Sequence, residues 1–396
     1  MTNKRKLRFG MIFLGPFPEG NVSTIRIFSY CKSLAKSGYF VKIYLLAPTK
    51  EAGVNKDKVG KIDGVEYEYL SKITWSSDNV HVFVKGIYYL YGIFRTLFKL
   101  NKDNITCLLS YHNEFLFNLL IAITTKIYKI PFILDKTEYP KYFKSNNRFL
   151  KYLEKKQLSL YDGIMTITKE LQSYYKNLLQ KPIFLLPMTV DSDRYLNQQR
   201  TDQEYSYIAT VFGTHNRDSL IDAVKAYLRY LDTDISKKHY RLFLIGDFDK
   251  LCFLFPENNE IINLIKQNKD AKESIVFKGL VSSNDIPHIL INAKCLLTTP
   301  RFFNSGGFPT KLGEYLLSGV PVISTSVGEI PEYLTDKINV FLSPPGEVES
   351  ICRNIIYIHN HYEDALKIGE NGKQLAKKHF NADNYIEDII QFVKEL

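Results

Sequence analysis

At 396 residues the chain is too long for one ordinary hydrophobic core, so two domains are expected. Its 45% hydrophobic and 24% charged content exclude both a disordered and a membrane-embedded chain. The net charge of +10 is unevenly placed: residues 1–190 hold 29 Lys and Arg against 14 Asp and Glu, a net of +15, whereas residues 191–396 carry −5.

A basic half beside a mildly acidic one suggests an anionic partner for the first half only. Nucleic acid is not expected, because zinc-finger spacing, RNA-binding aromatic motifs and Arg-rich arms are all missing. A membrane face or a phosphate-bearing lipid acceptor fits this charge. Cys31, Cys107, Cys252, Cys295 and Cys352 are scattered, odd in number and never spaced Cys-x-x-Cys. That pattern argues against a disulfide framework or zinc site and for a reducing cytoplasm.

The opening MTNKRKLRFGMIFLGPFP has a short apolar run broken by Gly and Pro, without a small-residue cleavage site. It reads as a buried first strand rather than a secretory signal. Arg8–Leu14 is that strand, followed by the loop GPFPEGNVST and a helix from about Thr24 to Ser37 that Gly38 stops. Further strands are expected at Tyr39–Ala47, Cys107–Tyr111, Pro131–Asp135, Gly163–Thr168 and Ile183–Pro187, with an apolar helix over Asn113–Lys129. After a polar linker, 191–204, the pattern restarts with strands at Tyr205–Gly213, Arg241–Gly246, Ser274–Lys278, Ala293–Thr298 and Val320–Thr325. A small element begins at Phe341–Leu342, and from Ile351 the pattern is helical to the end. Short apolar strands alternating with helices predict a parallel α/β sheet in each half. The expected division is 1–190, a linker 191–204, and 205–396, with the last helix a candidate to pack back on the first domain. No apolar run approaches the ~20 residues that span a bilayer.

Ligands of open parallel sheets bind outside the carboxyl ends of the strands, so chemistry is expected in the loops there. Residues 304–325 read NSGGFPTKLGEYLLSGVPVIST. Pro309 is placed as the first helical residue, leaving the amides of Thr310 and Lys311 pointing out of a helix start suited to phosphate. Gly306 and Gly307 lack Cβ atoms, so a ligand can approach their backbone closely. Glu314, one turn in, can accept two hydroxyl hydrogen bonds, as a ribose diol offers. The simpler reading is an ordinary helix with a solvated Glu314 and a flexible loop.

GGFPTKLGEYLLSGVPVISTSVGEIPEYL resembles the donor-binding signature of the retaining glycosyltransferases with the GT-B fold, the group 1 or family 4 type. GPFPEGNVSTIR, LLPMTVDSDRY, VFGTHNRDSLIDAVKAY, LFLIGD and IVFKGLVSSNDIPHIL are similar to other segments of that family, in its order. The resemblance implies two facing Rossmann-like domains, the second holding a nucleotide-sugar, UDP- or GDP-linked, as substrate rather than cofactor. It assigns ribose binding to Glu314 and donor contacts to Arg217, Gly306, Gly307, Phe308, Thr310 and Lys311, while Gly20 and Asn21, in the loop after the first strand, either bring backbone close to the diphosphate or form a simple turn. The family's first motif Glu falls on Gly306 and is absent, so the usual sugar contact is missing. Thr214 stands where the family has an Arg, and Arg217 fills its Lys position. His112, in SYHNEF, matches a family His beside the donor sugar and is the candidate catalytic residue; a structural hydrogen bond is its simpler role. Asp135 and Glu138 are candidates for acceptor hydroxyls or for a polar turn.

Without an Asp-x-Asp pattern no metal site is expected, and Arg217 with helix amino ends is left to neutralise the diphosphate. The basic aromatic stretches 81–100, with Lys85, Arg95 and Lys99, and 141–156, with six cations against Glu154, suggest an anionic membrane surface. The expectation is a hexosyltransferase acting on a lipid-linked glycan in cell-surface polysaccharide biosynthesis, cytoplasmic and peripheral at the inner membrane face. A non-catalytic nucleotide-sugar-binding subunit and a sugar-nucleotide epimerase are the alternatives.

Overall fold

The computed structural model describes residues 6–48, 55–71, 73–74, 82–111, 115–213, 217–233 and 239–396. They form two compact units. In the first, β1 (Arg8–Phe13) leads into α1 (Val22–Lys36), and Gly38, with φ of +81°, turns the chain into β2 (Phe40–Leu45). Only glycine adopts such a backbone without strain, which is why the helix ends there.

The hairpin β3 (Val59–Ile62) and β4 (Val65–Tyr69) follows, in a stretch where the apolar pattern marks no strand. Asp63 and Gly64 form its turn with φ of +48° and +85°, the geometry a two-residue hairpin requires. Then come α2 (Val82–Lys102), β5 (Cys107–Ser110), α3 (Phe115–Tyr128), β6 (Phe132–Lys136), α4 (Arg148–Leu158), β7 (Gly163–Thr166), α5 (Lys169–Leu178) and β8 (Ile183–Leu185). The strand order is β3-β4-β2-β1-β5-β6-β7-β8, parallel except for the hairpin. Phe9, Met11, Phe13, Ile27, Ile43 and Leu109 are fully or almost fully buried at its centre.

The second unit contains β9 (Tyr207–Val211), α6 (Leu220–Leu231), β10 (Arg241–Ile245), α7 (Phe248–Leu254), α8 (Glu260–Gln267), α9 (Lys269–Ser274) and β11 (Ile275–Gly279). It continues with α10 (Ile286–Asn292), β12 (Cys295–Leu297), α11 (Thr310–Leu317), β13 (Val322–Thr325), α12 (Ile330–Tyr333), β14 (Phe341–Ser343), α13 (Val348–Asn360) and α14 (Tyr362–His379). Its sheet runs β11-β10-β9-β12-β13-β14, all parallel, so the strand order reverses direction at β9. Ile208, Val224, Leu242, Leu244, Leu297 and Ile323 form its core. The last helix, α15 (Ile386–Lys394), belongs with the first unit, where Phe392 stacks on Phe184 at 5.4 Å.

The division differs in two places from the one expected. Residues 192–204 are not a free linker: they pack with the second unit, Thr201 N donating to Asn292 Oδ1 at 2.8 Å. Residues 305–307, expected in the second domain, belong with the first unit, where Ser305 O accepts from Tyr139 N at 2.7 Å.

Candidate functional site

The second unit gathers its polar residues at the carboxyl end of β9, the place where strand order reverses. The Arg217–Ser219 turn is tied to the segment after β12 by three hydrogen bonds. Ser219 N donates to Thr299 O at 3.0 Å, Thr299 Oγ1 to Ser219 O at 2.8 Å, and Arg301 N to Arg217 O at 3.0 Å. Arg301 also forks the buried Asp222 carboxylate, at 2.6 and 2.5 Å.

Helix α11 is seated on the same strand end by residues four apart, which share one helix face. Lys311 Nζ donates to Val211 O at 2.9 Å and to the Asp218 carboxylate. Tyr315 OH accepts from Val211 N at 2.6 Å, and burial pushes its phenol well above its ordinary value. Pro309 is the extended cap rather than the first helical residue, and the first helical bond runs from Leu312 N to Pro309 O. The amides of Thr310 and Lys311 therefore have no acceptor within the helix.

Arg217 directly precedes Asp218, the carboxylate that Lys311 of this helix reaches. Its guanidinium is 5.3 Å from the Phe303 ring centre, and its Nε is 3.5 Å from Asp218 Oδ1. Nε is buried without a hydrogen bond among the described residues. The charge that meets it is the Asp218 carboxylate, which Lys311 also reaches, so two cations face one carboxylate at this turn.

Glu314 points elsewhere on α11. Arg194, in the 3₁₀ turn Ser192–Tyr195, donates one nitrogen to its carboxylate and another to Ser283 O. The two side chains are only 18% and 12% exposed, so Glu314 is not the solvated residue of the simpler reading. Tyr195 is buried beside them, and burial together with the Glu314 charge raises its phenol well above the ordinary value. Nothing in the local sequence signals the pair, whose members are 120 residues apart.

Several expected contacts have another use. The side chain of Phe308 is buried in the second unit, its ring 5.7 Å from both Tyr333 and Phe380, so it serves packing. In the first unit, Asn21 Oδ1 caps α1, accepting from Ser23 N at 3.1 Å and Thr24 N at 3.4 Å. A Cβ on Gly20 would overlap Thr24 Oγ1 and come within 2.6 Å of Pro16 O. Gly306 has φ of +73°, and its Cβ position is 2.8 Å from both Leu171 Cδ2 and Tyr139 Cε2. Its carbonyl accepts from Thr168 Oγ1 at 2.7 Å, and a Cβ on Gly307 would stand 2.9 Å from Thr137 O. The missing Cβ atoms of this loop thus let it dock on protein, not only on a ligand.

Asp135 is not an acceptor-binding residue. It is fully buried and forked by Arg26 at 2.9 and 2.9 Å, while Arg26 also donates to Pro187 O at 2.8 Å and Leu186 O at 3.1 Å. Burial opposes the Arg26 charge, yet the Asp135 carboxylate holds the guanidinium above its ordinary value. His112 and Thr214 lie outside the described residues. Among the described residues no three His, Cys, Asp or Glu side chains gather as a metal-binding group. A cavity of about 1030 Å³ in the first unit, lined by Arg8, Phe40, Thr106 and Lys129, sits at the amino ends of β1 and β2. Ligands of parallel sheets are bound at the opposite ends.

Two parallel-sheet α/β units, with a cationic turn and a helix start at the strand-order reversal of the second, define the fold of the GT-B glycosyltransferases. Residues 193–375, which lie in the second unit apart from 305–307, match the family model described as glycosyl transferases group 1. It is 24% identical over 332 residues to the uncharacterized glycosyltransferase MJ1178 of Methanocaldococcus jannaschii, covering 84% of this chain and 87% of that protein. Among solved structures it is similar to sucrose-phosphate synthase (tll1590) from Thermosynechococcus elongatus, with a TM-score of 0.72, 14% identity and coverage of 98% and 99%. Anabaena Alr3699/HepE in complex with UDP-glucose gives a TM-score of 0.65 at 13% identity, covering 98% of this chain and 100% of that one.

Proposed function

We propose that the chain is a glycosyltransferase, a retaining hexosyltransferase that takes its sugar from a nucleoside diphosphate-sugar and delivers it to a hydroxyl of a lipid-linked glycan, in cell-surface polysaccharide biosynthesis. The observation that carries the donor assignment is the cation excess at the carboxyl end of β9: Arg217 and Lys311 share the one carboxylate of Asp218, and α11, seated on the same strand end, begins without a side-chain cap. Arg can fork two phosphate oxygens, and a helix start favours the same charge. The HepE structure, which holds UDP-glucose, supports UDP over GDP as the first nucleotide to try.

In this reading the diphosphate is met by Arg217 and the Thr310 and Lys311 amides, with no required cation. Glu314 receives the ribose hydroxyls, and Arg194 holds its carboxylate in place. Lys311 reaches Asp218 rather than the donor, so its side chain positions the Arg217 turn. His112 orients the sugar. Attack from the leaving-group face lets the departing phosphate oxygen take the acceptor proton, so catalysis is positioning and leaving-group stabilisation. The +15 charge of residues 1–190 supports a place at the inner face of the cytoplasmic membrane.

The test is transfer of labelled sugar from UDP-glucose and its congeners to a membrane lipid extract, with the anomeric configuration of the product read by NMR. Retained configuration in a lipid-soluble product supports the proposal. Conversion of the donor sugar without acceptor supports the epimerase alternative, and donor binding without turnover the non-catalytic one.

A further inference from the structure

We propose that α2, α3 and α4 form a docking face for an anionic lipid surface. On α2, Phe83, Ile87, Leu90, Phe94 and Phe98 recur at helical spacing and face solvent, Phe83 and Phe98 being 72% and 77% exposed. A stripe with this period ordinarily faces a protein core. Helix α3 packs beside α2 and repeats the pattern with Leu119, Ile123 and Ile127, the last 71% exposed. Helix α4, beside α3, adds Phe149, Tyr152 and Leu153. All three helices join parallel strands in one direction across the sheet, so right-handed crossovers put them on the same side.

Charge selects the occupant. The three helices carry a single carboxylate, Glu154, which is buried and accepts from Tyr142 N at 3.1 Å. Lys126, Lys129, Arg148, Lys151, Lys155 and Lys156 are exposed around the apolar residues. Arg95 and Lys99, expected in the patch, are not part of it: both reach Glu68, at 3.0 and 2.7 Å. A second copy of the chain would set these cations against one another, whereas anionic headgroups neutralise them. Among the described residues no helix is long and apolar enough to cross a membrane, so these helices would lie in the interface with their aromatic and aliphatic side chains inserted. The face extends the proposed membrane location and is independent of the donor site.

The test is co-sedimentation of the full chain with vesicles of phosphatidylglycerol and phosphatidylcholine, or of phosphatidylcholine alone. The chain should bind only the anionic vesicles and be released by high salt. Lys151→Glu with Lys155→Glu should weaken binding about tenfold or more. Phe94→Ser with Ile127→Ser should weaken it to a similar degree, while the thermal shift with UDP stays that of the parent protein. Absence of binding at low salt, equal binding to both vesicles, or equal binding by all variants would overturn the proposal. A lipid-free dimer that Phe94→Ser with Ile127→Ser dissociates would assign the face to a second copy instead. Vesicle binding by a chain that ignores UDP would uphold this face and remove the donor reading.

Discussion

Arg194 and Glu314 are joined by an ion pair that also reaches the Ser283 carbonyl, fixing the carboxylate of α11 to a 3₁₀ turn 120 residues away. The pair makes Glu314 an oriented acceptor instead of a mobile surface charge. Glu314→Ala should weaken UDP binding about tenfold or more, the loss of one charged hydrogen bond. Arg194→Ala should weaken it less, by loosening the carboxylate, and the two losses should be non-additive in calorimetry. Unchanged affinity in Glu314→Ala would remove the ribose role.

Arg217 should matter for phosphate and not for the nucleoside. Arg217→Ala is expected to weaken UDP and UDP-sugar binding by about tenfold or more while leaving uridine unaffected. Equal losses for uridine and UDP would refute a phosphate contact.

Gly306 is where the family's first Glu falls, but this backbone does not admit it. Its φ of +73° strains any side chain, and the Cβ position is taken by Leu171 and Tyr139. Gly306→Glu should cost roughly 1–3 kcal/mol from overpacking alone and lower the melting temperature. An unchanged melting temperature with improved turnover would mean the loop readily rearranges to seat the carboxylate.

The buried Arg26–Asp135 pair should behave as a structural clamp. Asp135→Ala leaves a guanidinium uncompensated and should destabilise by about 3–5 kcal/mol in denaturant unfolding. Arg26→Met with Asp135→Leu should recover much of that loss, whereas a double variant as damaged as the single one would contradict this account.

Acid should weaken the first unit through Glu68 and Asp103. Burial works against both carboxylates, but hydrogen bonds from Lys99 and Lys42 to Glu68, and from Lys42 and Tyr44 to Asp103, hold them below their ordinary range. A lowered folded value contributes stability above the unfolded value and loses it as pH falls through the folded one. Stability should therefore fall on acidification below the ordinary carboxylate range, and Glu68→Gln should flatten that fall. Identical pH profiles for parent and variant would contradict it.

The parallel sheets were legible because strands buried on both faces read as continuous apolar runs, such as 8–14 and 205–213. The β3–β4 hairpin escaped because an edge strand is half exposed and EYEY hides it, although Asp63-Gly64 carried the turn signal. Helix α11 was legible because its Gly-Phe-Pro turn and its apolar spacing lie within a dozen residues. What Gly306 and Asp135 do was not, because the space around Gly306 is set by Leu171 and Tyr139, and Arg26 is 109 residues from Asp135. Nothing in the sequence around Phe308 distinguishes a ligand contact from packing on Phe380.

The donor assignment is tested most directly by thermal unfolding with UDP-, GDP- and dTDP-sugars at saturating concentration. A true donor at about 100 times its Kd should stabilise the folded chain by about 2.7 kcal/mol. The account predicts one nucleotide series, UDP first, that raises the melting temperature clearly and loses that effect in Arg217→Ala. Melting temperatures unmoved by every nucleotide-sugar, or a shift that survives Arg217→Ala intact, would contradict it.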